Sequence, residues 1–212
     1  MLPTLMSAIS HTFFARPAPE VAPDLLGMCL VHECPSGQRL SGYIVETEAY
    51  AQDDPAWYGW GILDVATGLV QPAGRGMALF GPPGTAYMHL CYGVHWMFNV
   101  VTEPEGRAGC VLIRAVAPLE GQDTMWRRRK AARRELELAN GPGKLTQAFD
   151  IDRRFHGMPL TGPPLYLTRP HHSLSLQIVR STRIGVRHGS DLPYRFFLDR
   201  HPAVSRRPSG HR

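Results

Sequence analysis

The segment RLSGYIVETEAY, Arg39 to Tyr50, constrains the chain most, because it reads as a strand with two unlike faces. Glu46, Glu48 and Tyr50 fall at alternate positions, with Val45, Thr47 and Ala49 between them. Successive side chains of an extended chain point to opposite sides, so two carboxylates and a phenol share one face and small apolar groups the other. A solvated sheet edge is the plain explanation, since most strand glutamates are exposed. Next to Ile44, Val45 and Ala49, however, an ionised glutamate needs a cationic or hydrogen-bonding partner. Arg114, embedded among Val111, Leu112, Ile113 and Val116, is the candidate partner. A carboxylate held charged beside aromatic groups can act as a general base toward water.

The rest of the chain must complete a sheet around this strand. A short helix is expected from about Pro19 to Leu26, stopped by Gly27. MCLVHE and RLSGYIVETEAY then form a hairpin around CPSGQ. Ala51 to Arg75 reads as a long loop, a kind that is often functional. Two aromatic strands, about Thr85 to Leu90 and His95 to Val101, meet at Tyr92-Gly93, and another begins at Gly109. Leu119 to Leu138 is expected to be one helix or two joined helices, ended by Asn140-Gly141, with Pro142 opening a further short helix. PLYLTRP, SLQIVRSTRIGV and YRFFLDR supply shorter strands. The expected fold is therefore mixed α/β: a single domain over 1–212 with a curved, mainly antiparallel sheet, packed helices and a protruding β-hairpin. Residues 1–18 form a Pro-rich lead-in and about 205–212 a frayed basic tail.

Charge narrows the partners. The formal net charge is +5, and of 23 basic residues only Lys130 and Lys144 are not arginine, a balance that favours polyanions. MWRRRKAARR could contact phosphates or be a solvated helix face. Four cysteines at 29, 34, 91 and 110 form no CxxC pair and read as reduced thiols. No apolar run is long enough to span a bilayer, so a cytoplasmic, nucleoid-associated protein is expected. There is no GxGxxG after a strand, no complete P-loop and no GxSxG, which excludes the common nucleotide-binding motifs and the hydrolase nucleophile elbow. HEC at 32–34 lacks the pattern of a zinc deaminase. No metal site is expected.

VETEAY, RGM at 75–77, GPPGTAYMHLCYG, FNVV, GCVLIRAVAPLEG and NGPGKL occur in that order, and together they resemble the alkyladenine (3-methyladenine) DNA glycosylase family over roughly Ala15 to Val204. The resemblance implies a monofunctional enzyme that flips alkylated or deaminated purines out of double-stranded DNA and hydrolyses their N-glycosidic bond. It implies no metal or organic cofactor, and a monomer is expected. By position, Glu48 matches the base that activates water and Arg114 the arginine that helps place that water. Tyr50, Tyr87 and His89 match residues around the base pocket, His89 standing where relatives have tyrosine. Asn99 matches the residue that obstructs the amine of normal guanine, and Tyr92 the side chain that intercalates through the minor groove. Tyr58 falls where the family commonly has histidine, and the stretch before RGM is longer than usual.

These parts suit the chemistry. A purine alkylated at N3 or N7 is already cationic and leaves without the second carboxyl that glycosidases of oxygen-linked sugars require, so Glu48 suffices and Glu46 is structural. The alternative is a non-catalytic damaged-DNA-binding module of the same fold, favoured by Tyr58.

Overall fold

The computed structural model describes residues 9–56, 74–170 and 176–205. Its centre is the strand that the sequence singles out. β2, Arg39–Ala51, is flanked on one side by β5, Gly109–Glu120. Its other side pairs first with β1, Cys29–Glu33, and then with β8, Arg195–Leu198. β3, Ala86–Cys91, and β4, His95–Val101, form the hairpin and join through β4 to β5. β6, Leu165–Thr168, closes the far edge on β1, and β7, Ile178–Ser181, pairs with β8. All these pairings are antiparallel, and the order β3-β4-β5-β2-β1-β6 runs across an eight-stranded, strongly curled sheet.

Irregular pairing accompanies the curl. The register of β2 on β5 shifts between Ser41 and Gly42 and on both sides of Glu46, leaving Val45 and Arg114 without directly opposed partners. Such bulges bend a strand, increase its twist and re-aim nearby side chains. Gly42 allows the two strands to approach, because a Cβ there would lie 2.5 Å from the Ala117 carbonyl oxygen.

The apolar face of β2 meets the main core as its alternation predicts. Val45 and Ala49 are buried with Val111, Ile113, Phe98, Val100, Ala86 and Met88. Helix α2, Ala18–Asp24, following the single turn α1, His11–Phe14, contributes Val21 and Ala22. Thr47 Oγ1 donates to the Ala22 carbonyl at 2.8 Å, satisfying the one polar group on that face. α4, Pro142–Phe149, begins at its proline and buries Leu145, Ala148 and Phe149. A smaller cluster of Leu79, Tyr87, Val101, Ala108 and Cys110, with Tyr50 packed on it, occupies the opposite face.

The expected helix over Leu119–Leu138 is corrected. Leu119 and Glu120 extend β5, where the Glu120 carboxylate accepts from Arg39 Nη1 at 2.6 Å and Ser41 Oγ at 2.7 Å. Gly121, at φ +78° against Leu40, turns the chain, and α3 covers only Gln122–Arg128. Arginines at 127, 128 and 129 and lysine at 130 then crowd positive charge along the helical spacing, which disfavours continuation. A short 3-10 turn, Glu135–Glu137, follows. No helix among the described residues is long and apolar enough to cross a membrane.

Candidate active site

Sheet register gathers the predicted residues. Glu48 pairs with Leu112, Leu112 with Asn99 and Asn99 with Tyr87, so one row crosses β2, β5, β4 and β3 on a single face. Tyr50 and His89 stand one step along on that face, since alternate residues share a side. The core lies on the other.

Glu48 is wholly buried. Its Oε2 accepts from the Tyr50 hydroxyl at 2.9 Å and from Arg114 Nη1 at 3.0 Å, and its Oε1 accepts from the Ile184 backbone N–H at 2.7 Å. A carboxylate has about four acceptor positions, so among the described residues one remains open, on Oε1. Charge-assisted donors of this kind fix its orientation.

Glu46 is bound differently. Its Oε1 accepts from Arg114 Nε at 2.9 Å, Arg195 Nε at 2.8 Å and Ser205 Oγ at 2.9 Å, and its Oε2 accepts from the Ser205 N–H at 2.7 Å. Four donors thus meet this carboxylate, three of them crowded on Oε1. Burial pushes this carboxyl upward, but Arg114 and Arg195 outweigh that and hold it below the ordinary glutamate range. Arg114 itself loses by burial and is carried above its usual value by Glu48 and then Glu46. Burial, reinforced by the neighbouring Glu48 carboxylate, lifts the Tyr50 phenol well above the usual tyrosine value, so it remains a donor at neutral pH.

Two site residues contribute shape. Asn99 is buried and spends its Nδ2 donors on the Tyr87 carbonyl at 3.1 Å and the Met97 carbonyl at 3.2 Å. Its Oδ1 lies 3.8 Å from the Cys110 thiol, which is inert because burial pushes it up to about 12. Tyr87 and His89 stack with centroids 6.4 Å apart. They border a cavity of about 600 Å³ along the outer edge of β3, which Trp96 and His156 also line and Glu48, Tyr50 and Asn99 do not.

Tyr92 stands apart from all of these. It and Gly93 both have positive φ, 51° and 70°, as the two central residues of a tight hairpin turn require. The ring is 92% exposed, so it is not packed back on the sheet. Tyr58 lies outside the described residues.

Three buried groups escaped the sequence reading. Arg195, an arginine inside the apolar run YRFFL, carries the same signal as Arg114 and could have been found by it. Asp54 and Arg183 form a buried ion pair beside Tyr50, and neither stands in a pattern that marks it.

One carboxylate, neutralised by arginine, has its two oxygens ordered and a single acceptor position left, an arrangement able to orient a water molecule. The methylpurine-DNA glycosylase family model matches residues 12–202, and the chain belongs to that family of DNA glycosylases. A relative from Salinibacter ruber, named "Putative 3-methyladenine DNA glycosylase", is 49% identical over 97% of this chain and 100% of its own. Relatives carrying the same name from Carboxydothermus hydrogenoformans and Chlorobium luteolum are 44% and 39% identical, over 94% and 96% of this chain and 99% and 100% of theirs.

Proposed function

We propose that this chain excises alkylated purines, such as 3-methyladenine and 7-methylguanine, from double-stranded DNA by monofunctional hydrolysis of the N-glycosidic bond. Glu48 is the general base, taking a proton from water at the open position on Oε1. Arg114 pairs with the carboxylate through Oε2 and helps hold that water. The buried, almost saturated coordination of Glu48 carries the reading.

The target bond is inaccessible in a stacked duplex, so the nucleotide must rotate out at a cost of a few kcal/mol. Tyr92, exposed on a rigid turn, enters the minor groove and fills the gap, which offsets that cost. Tyr50, Tyr87 and His89 surround the extruded base, where each ring stack contributes about 1–3 kcal/mol. Asn99, held by two carbonyls, presses on the 2-amine of any guanine, a cost that the weakened glycosidic bond of cationic 7-methylguanine offsets and that normal guanine cannot. The enzyme works as a monomer, and it uses no metal or organic cofactor, because a cationic purine departs without a proton or Lewis acid at the leaving group.

The test is release of 7-methylguanine from a duplex oligonucleotide under single-turnover conditions. Wild-type protein leaves abasic sites, and Glu48→Gln, which keeps the shape but not the charge, binds the same duplex while excision falls by about 10²–10⁴-fold. Binding without release by the wild type would reduce the protein to a damaged-DNA-binding module.

A further inference from the structure

Arg183 reaches the site from the segment between β7 and β8, 129 positions from the acid it pairs with. Its side chain has no exposed surface. Nη1 and Nη2 both engage the Asp54 carboxylate, with Nη2 to Oδ1 at 2.8 Å. Nη1 also donates to the Ala49 carbonyl at 2.8 Å and Nη2 to the Gly189 carbonyl at 3.1 Å. The guanidinium carbon lies 4.7 Å from the centre of the Tyr50 ring and 5.5 Å from that of Tyr194. The next residue, Ile184, supplies the N–H that meets Oε1 of Glu48 at 2.7 Å.

These contacts converge on one carboxylate. The Ala49 carbonyl and the Tyr50 ring belong to the stretch of β2 immediately after Glu48, and the Ile184 amide approaches Glu48 from the opposite segment. A single planar cation ties the two together. Asp54 fixes the cation from a third segment, the turn after β2.

We propose that Arg183 is a positioning residue for Glu48: clamped by Asp54, it holds the Ile184 amide against Oε1 and backs the Tyr50 ring, so the carboxylate is aimed through its one open acceptor position. This rests on Glu48 being the general base. Lysine cannot substitute fully, because a point charge on a flexible stem cannot meet Asp54 bidentately, reach two carbonyls and lie flat on an aromatic ring. The chemistry is sensitive to such support, since a misplacement of about 1 Å costs about 10²-fold in rate.

The charged and titratable groups around Glu48 are Glu46 and Tyr50 from β2, Cys110 and Arg114 from β5, Arg195 from β8, and Asp54 and Arg183 from the flanking segments. Removing Arg183 takes away a nearby positive charge and frees the amide donor, and both changes favour the protonated form of Glu48. The acid limb of the pH–rate profile should therefore move to higher pH.

The experiment measures single-turnover release of 7-methylguanine from duplex DNA across pH for wild type, Arg183→Gln, Arg183→Lys and Asp54→Asn, with duplex binding measured in parallel. For Arg183→Gln the plateau rate should fall about 10–100-fold, the acid limb should shift upward, and binding should be little changed. Arg183→Lys should restore part of the limb and less of the rate, and Asp54→Asn, which unclamps the guanidinium but keeps its charge, should lower the rate without raising the limb. A rate loss in Arg183→Gln equal at every pH with an unmoved limb would make Arg183 mere scaffold and overturn the assignment, as would a wild-type rate. Should Arg183→Gln fail to fold, Arg183→Lys is read by the same criteria, and a wild-type rate in Asp54→Asn would likewise overturn the assignment. A wild-type protein that releases no base overturns the general-base reading itself, and this assignment with it.

Discussion

The Tyr50 hydroxyl donates to Oε2 of Glu48 across 2.9 Å, from two residues further along the same strand. Period-two geometry makes this contact possible, because alternate side chains of β2 stand side by side. The phenol thus does two things in the proposed reaction: it offers a ring to the extruded purine and a donor to the carboxylate that activates water. Removing the hydroxyl separates them. Tyr50→Phe retains the ring, so binding of lesion-containing duplex should be nearly unchanged. Losing a donor to a charged group, about 1.5–3 kcal/mol, should slow excision about 10–100-fold and alter the pH dependence of the rate. An unchanged pH profile would show that the hydroxyl does not act on Glu48.

Glu46 should govern stability. It is wholly buried, and its oxygens hold Arg114, Arg195 and the backbone at Ser205. Glu46→Gln leaves two buried guanidinium groups short of charge, a defect of about 3–5 kcal/mol, visible in calorimetry as a melting temperature lower by about 2–4 °C for each kcal/mol.

Acid should reproduce that defect in the wild type. Arg114 and Arg195 prevail over burial and lower the Glu46 carboxyl in the folded state, so its stabilisation is fully present above the unfolded glutamate value of about 4.3 and is lost as pH falls through the folded value. Melting temperatures from pH 7 down to pH ~3 should therefore fall more steeply for wild type than for Glu46→Gln. Parallel curves would mean that other acids set the transition.

Local pattern made much of this legible. The alternation of β2 revealed both the core face and the site face, Gly93 located the turn that exposes Tyr92, and Pro142 marked the start of α4. What was not legible depends on distance and on irregularity. Ser205 reaches Glu46 from 159 positions away and Arg183 reaches Asp54 from 129, through segments too short to have a period of their own. The bulges around Glu46 leave no mark in composition, yet they free Arg114 from direct opposition so that it spans both carboxylates. The helix expected after Leu119 failed because Arg39 and Ser41 hold Glu120 in the sheet, a tertiary preference stronger than local propensity.

Tyr92 offers the cleanest separation of folding from function. A ring that is 92% exposed contributes almost nothing to the core, so Tyr92→Ala should melt within about 0.5 kcal/mol of wild type. Positive φ at this residue is no obstacle, since alanine and tyrosine tolerate it similarly poorly. In duplex DNA the variant loses the group that occupies the vacated stack, and both lesion binding and excision should weaken. In a single strand there is no paired stack to hold open, and excision of the same lesion should be nearly unaffected. The measurement is the ratio of single-turnover rates on duplex and single-stranded oligonucleotides carrying 7-methylguanine. A fall in that ratio places Tyr92 in extrusion of the base, whereas equal loss on both substrates would assign it to general DNA contact.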